Sequence, residues 1–282
     1  MVNVRVRVQF LTYSLTNVNN EAVIQVSQQS FTDKLRFALT SRYAREPVIL
    51  VAAYLFYYLG RHLASDARPA FENARYLMRL ESHLGIFEEI SLQSATISYD
   101  LVAHTFNLIY FYAHWPAIIA VGLYLFLTKP HIYTITRNAF LISGAIALVF
   151  FVLFPVAPPR LATVGIVDTL GMTVPVDYDN SPLVNPYAAL PSMHVGWCLV
   201  LSLGLYLSTK RRTVRMMALS ITPAMWIATV ITGNHFIIDG LFGTILAGIG
   251  FICALWLNRN WPALQSALRQ GLFSLKRQPG AG

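Results

Sequence analysis

Two short segments carry the residues best suited to chemistry. In "ALPSMHVGW" (189–197), Pro191 ends a loop and Ser192 is a good helix N-cap. His194 therefore falls in the first turn of the apolar run that follows, where backbone N–H groups lack helical partners and attract anions, phosphate especially. In "HFIID" (235–239), His235 and Asp239 are four residues apart, which brings both side chains to one helical face within hydrogen-bonding reach. A carboxylate accepting from Nδ1–H would fix the imidazole tautomer and leave Nε2 as a nucleophile. Taken singly, either histidine also reads as an interfacial polar residue, and Asp239 as a cap or a partner for a neighbouring helix. Taken jointly, they predict two imidazoles converging on one phosphorus atom, one of them steered by a carboxyl group.

The elements that must position them are membrane helices. The chain has 282 residues, 55% hydrophobic and 12% charged, a poor match to a soluble globule. Apolar stretches at about 47–63, 103–127, 138–156, 194–209, 214–232 and 236–257 approach or exceed the ~20 residues that cross a bilayer as a helix. The fold class expected is all-α: a polytopic bundle of six transmembrane helices, with His194 and His235 opening two spans at the same membrane face. With alternating sides, sixteen Lys and Arg collect on one face and five on the other, so the net charge of +8 reads as orientation signal and not as a nucleic-acid surface. Both termini are then cytoplasmic, in a multi-pass protein of the cell membrane, and the histidines face outside.

Residues 1–46 read as a cytoplasmic tail without a secretory signal, 47–257 as the membrane domain and 258–282 as a second cytoplasmic tail. "VNVRVRVQF" (2–10) alternates like a strand but has no evident partner, and the tail is expected to be mobile. Within the exterior insert 64–99, "FENARYLMRLESHLGIFEE" (71–89) gathers Ala74, Leu77, Leu80, Leu84 and Phe87 on one face, an exofacial amphipathic helix that is either a cap over the bundle or a lid over substrate. The 157–193 loop is long, rich in Pro, Asp and Asn, and exterior. The turn at 232–239 is short enough to make spans five and six antiparallel neighbours. Cys198 and Cys253 read as packing residues, and Gly240, Thr244 and Gly248 as a small-residue seam.

Further candidates surround the histidines. Arg160 is the basic residue of the 157–193 loop, and its planar fork suits a phosphate oxygen. Arg61 is second, with an equally good reading as an anchor for a span end. His104, Asn107 and His114 lie on one stripe of span two with Phe111, to recognise substrate hydroxyls or to bond neighbouring helices. Asn185 and Tyr187 are headgroup candidates in the loop.

"PSMH" (191–194) and "HFIID" (235–239), with "APPR" (157–160) ahead of them, resemble the signature of the type-2 phosphatidic acid phosphatase superfamily. Residues 107–243, including "NPYAALPSMHVGW" and "TGNHFIIDGLFG", are similar to its inositolphosphotransferase branch, which contains inositol phosphorylceramide synthase. The resemblance covers about residues 47–257. It implies that His235 attacks phosphorus, Asp239 orients it, and His194 protonates the leaving oxygen, through a phosphohistidine and without metal or cofactor. Ser192 and Met193, within the motif, join the phosphate-binding candidates. The chain departs from the phosphatases in three places: Thr229 stands where an arginine usually precedes the nucleophile by six residues, "PVAPPR" replaces a Lys-x6-Arg-Pro segment, and Met193 replaces the glycine of PSGH.

The expected function is transfer of a phospho-headgroup such as phosphoinositol from a lipid-linked phosphoester to an alcohol. Hydrolysis of a lipid or polyprenyl phosphate is the alternative. A catalytically idle lipid-binding or transport protein is a reading of a different class. The partners implied are a lipid or polyprenyl phosphate, an alcohol acceptor or water, and membrane lipids. Nothing in the sequence fixes the oligomeric state.

Overall fold

The computed structural model describes residues 4–8, 11–18, 21–28, 41–62, 67–173 and 185–275. The chain divides into two compact units, 1–56 and 57–282. In the first, the alternating N-terminal segment does find partners: β1 (Val4–Val8), β2 (Leu11–Val18) and β3 (Glu21–Gln28) form an antiparallel meander, with Val6 opposite Tyr13 and Leu15 opposite Ile24. The expectation of an unpartnered strand is corrected here. Two further alternating segments follow the first within a few residues and supply its ladder, which a lone strand lacks. Helix α1 (Arg42–His62) then leads from the first unit into the second.

The second unit is helical, and its order is α2 (Ala67–Leu84), α3 (Glu89–Ile97), α4 (Asp100–Asn107), a π-helical turn (Leu108–Ala113), α5 (His114–Thr128), α6 (Pro130–Leu153), the short α7 (Pro159–Ala162), α8 (Met193–Ser208), α9 (Arg212–Ile231) and α10 (Ile237–Leu275). Among the described residues four helices are long and apolar enough to cross a membrane: Asp100–Thr128, Pro130–Leu153, Arg212–Ile231 and Ile237–Ala263. Helix α8 has 16 residues, about 24 Å of rise against ~30 Å of hydrocarbon. Outward-facing Leu101, Ile119, Leu153, Ile227 and Ile252 give these helices an apolar exterior, the mark of a lipid-facing surface. The last helix continues past 257 to Leu275.

Helix α8 is central, packing against α5, α6, α9 and α10. Spans five and six are antiparallel but not close neighbours: α9 lies along α8, α10 along α6 and α8, and α9 meets α10 over only a few residues. The reason is a pair of glycines. A Cβ on Gly196 would stand 2.7 Å from the Gly243 carbonyl, and one on Gly243 would collide with the carbonyl of Ser192, so α8 and α10 touch backbone to backbone. Nothing lies within 4 Å of a Cβ built on Gly248. The close-packed positions of α10 are Gly240, against Trp226, and Gly243 and Gly250 on α8 and α6, so the four-residue seam is corrected to these three.

The insert folds over the end of the bundle where α8 and α10 begin. Helix α2 buries Ala70, Ala74, Leu77 and Glu81, spaced four, three and four apart, against Val156, Ala157, Ala189, Leu190, Phe236 and Ile238. The predicted apolar face is shifted: Leu84 is exposed, and Glu81 takes the inward position one turn after Leu77.

Candidate active site

Two helix starts build the site. Ser192 caps α8, its hydroxyl accepting from the Val195 N–H at 3.5 Å, and its own N–H donates to the Asp239 carbonyl at 2.9 Å. That bond ties the start of α8 to the first turn of α10. Gly233, with φ of +72°, turns the chain into His235, whose N–H, like that of Asn234, donates to the Thr229 carbonyl at 3.1 Å. His194 and His235 thereby become neighbours, with ring centroids 5.8 Å apart and planes inclined by 57°.

The His235 ring is anchored through Nδ1. That nitrogen donates to the Ala189 carbonyl at 2.9 Å and faces Asp239 Oδ2 at 3.4 Å, while the same carboxyl oxygen accepts from the Phe236 N–H at 2.9 Å. Two oxygen acceptors on Nδ1 fix its proton there, so a neutral ring presents a bare Nε2. The shorter contact is to the carbonyl; Asp239, fully buried, is the second acceptor. His194 is held by stacking, on Tyr110 at 4.5 Å and beside His114 at 4.6 Å.

Arg160 sits beside the His235 turn. Its N–H donates to the Gly233 carbonyl at 2.9 Å, its Nε to Asn234 Oδ1 at 3.0 Å, and Nη1 lies 3.8 Å from Asp168 Oδ2, with the side chain only 3% exposed. Gln93 braces this loop, donating to the carbonyls of Val167 and Ile231 at 2.9 Å each and accepting from the Val167 N–H.

The other predicted residues divide. His114 is buried next to His194, with Nδ1 3.7 Å from Cys198 Sγ. Asn107 donates to the Thr169 carbonyl and to Thr173 Oγ1 and accepts from Thr169 Oγ1, while His104 Nδ1 meets Thr173 Oγ1 at 2.7 Å. Both pin the loop to α4, the structural of the two readings. Met193 is a core group, packed with Ala147, Leu148, Phe151 and Leu246. Asn185 turns the chain by accepting from the Tyr187 N–H, and the Tyr187 ring packs edge-on against Phe71. The side chain of Arg61 lies outside the described residues, as does the loop between 174 and 184.

Three participants are absent from the sequence-based candidates. The π turn at Leu108–Ala113 adds about one residue to a turn, so Tyr110 faces His194 while Phe111 points outward. Glu81 and Glu89 are buried at the first turn of α10, where Glu81 Oε1 accepts from the Ile238 N–H at 2.7 Å and Glu89 Oε1 from the Ile237 N–H at 2.8 Å. A signal for Glu81 did exist in its spacing from Ala70, Ala74 and Leu77.

A polytopic helical membrane protein in which two helices begin beside facing histidines is the class that fold and site define. The family profile described as PAP2 superfamily matches residues 75–253, and the chain belongs to that superfamily. It is accordingly an enzyme, a membrane lipid phosphatase or phosphotransferase. Among solved structures, one similar to it is the crystal structure of Aquifex aeolicus LpxE, at 13% identity and a TM-score of 0.45, covering 61% of this chain and 93% of that one. No curated protein matches.

Proposed function

We propose that the chain transfers a phospho-headgroup such as phosphoinositol from a lipid-linked phosphodiester to an alcohol acceptor, without metal. In the first half-reaction His235 Nε2 forms a bond to phosphorus as the bond from phosphorus to the lipid oxygen breaks, and His194 gives that oxygen its proton. In the second, the acceptor hydroxyl loses its proton to His194 as its oxygen attacks, and the N–P bond breaks. The observation that carries this reading is the Nδ1 anchoring of His235 opposite His194, which leaves one nucleophilic nitrogen beside one proton carrier.

Transfer is favoured over hydrolysis of a monoester by charge. Thr229 occupies the position expected of an arginine, and among the described residues the cation recorded at the His235 turn is Arg160. A phosphodiester carries a single negative charge and a phosphomonoester close to two, so one guanidinium suits the diester. The test is an assay of the purified protein with phosphatidylinositol and an alcohol acceptor, beside phosphatidic acid alone. Headgroup on the acceptor with no inorganic phosphate is expected; phosphate released from phosphatidic acid would establish hydrolysis instead.

The reading includes an outward-facing site with both termini cytoplasmic, supported by the sixteen-to-five division of basic residues. Val164, on the loop that carries Arg160, is 98% exposed. In intact cells, Val164→Cys should react with a membrane-impermeant maleimide; protection until the cells are lysed would invert the orientation.

A further inference from the structure

The start of α10 takes two of its caps from other helices. Of its leading N–H groups, that of Phe236 goes to Asp239, that of Ile237 to Glu89 and that of Ile238 to Glu81, so three carboxyl groups meet at one helix start. Glu81 comes from α2 and Glu89 from the first turn of α3; they are 0% and 1% exposed. Their second oxygens, Glu81 Oε2 and Glu89 Oε2, and Asp239 Oδ1 are three of the four buried side-chain polar atoms that lack a hydrogen-bond partner among the described residues. The two glutamates accept from consecutive N–H groups, those of Ile237 and Ile238, which brings their carboxyl groups side by side.

Two carboxylates cannot share such a place fully ionised, because each is desolvated and each repels the other. One proton between them removes the repulsion and satisfies both orphaned oxygens. We infer that Glu81 and Glu89 form a single proton-sharing, monoanionic clamp on the first turn of α10, positioning residues that fix the His235–Asp239 pair from the α2–α3 insert. The remaining negative charge is on the favourable side of the helix dipole. The charged group recorded against both glutamates is Asp239 on α10, and each is the other's remaining charged neighbour. Burial first, and the partner carboxyl second, push Glu81 up to about 9, and burial raises Glu89 as well. The clamp is thus whole at neutral pH. It gains a second charge, facing Glu89 and Asp239, as pH rises through the raised value.

The inference rests on the two-histidine site for its effect on catalysis but not for its chemistry, and two readouts separate these. In infrared spectra of the full-length protein at neutral pH, a protonated-carboxyl C=O band is expected that shifts in deuterium oxide and disappears in both Glu81→Gln and Glu89→Gln. In the transfer assay, Glu81→Ala and Glu89→Ala should each lower kcat about tenfold, the scale of a lost helix cap, with KM little changed. Glu81→Gln should recover most of that loss and abolish the wild-type fall in activity at alkaline pH, since the amide fills the place of the neutral acid and cannot ionise. A band that survives in both glutamine variants, or a Glu81→Gln profile that falls with the wild type, would overturn the clamp. A band that behaves as expected in a protein that turns over no lipid phosphate would uphold the clamp and overturn the proposed reaction.

Discussion

His235→Ala should abolish turnover, lowering kcat by about a thousandfold or more, and should leave no acid-labile phosphoenzyme when labelled donor is trapped with the purified protein. His194→Ala should resemble it on a natural lipid donor, where an alkoxide must leave and needs a proton. The two separate on a donor with an aryl leaving group, which departs without protonation. There, His194→Ala should form phosphoenzyme at a rate near the wild type's, and His235→Ala should form none. Rescue of both variants, or of neither, would remove the division of labour between the rings. Asp239→Asn should cost less than loss of the nucleophile, because the Ala189 carbonyl at 2.9 Å still accepts from Nδ1 and the Phe236 N–H can still find an amide oxygen. A defect in Asp239→Asn as deep as that in His235→Ala would mean that the carboxylate, not the carbonyl, sets the tautomer.

The bundle's helices and the meeting of two histidines were legible because they rest on local rules: apolar length, a Ser N-cap, and a four-residue spacing. What was not legible depends on tertiary contact. Ala189 reaches His235 across 46 residues through its backbone, which no side-chain pattern reports. Tyr110 replaces Phe111 because a π turn breaks the 3.6-residue count of an α-helix. Glu81 and Glu89 lie outside the apolar face predicted for the insert, yet they are buried, since the groups they satisfy are the orphan N–H donors of a helix about 150 residues further along the chain. Met193 went the other way: its place in the histidine motif suggested phosphate, and its side chain joins the core below the site.

Arg160→Ala should lower kcat/KM by about a hundredfold to a thousandfold, the range for losing one preorganised donor to developing charge. The arginine is not a surface charge that a neighbour could replace: its side chain is nearly buried, its backbone N–H is committed to Gly233, and Asn234 and Asp168 hold the guanidinium beside the residue that precedes His235. Arg160→Lys keeps the charge but loses the fork, so it should recover only part of the loss. Asn234→Ala removes the Nε contact and leaves the guanidinium, and should fall between the two. The donor decides what the charge is for. If one cation is matched to one negative charge, Arg160→Ala should affect a phosphodiester donor through kcat/KM, and adding a second basic residue by Thr229→Arg should shift preference toward phosphomonoesters. An Arg160→Ala enzyme that handles diester donors at the wild-type rate would place phosphate neutralisation elsewhere and withdraw the charge argument for transfer over hydrolysis.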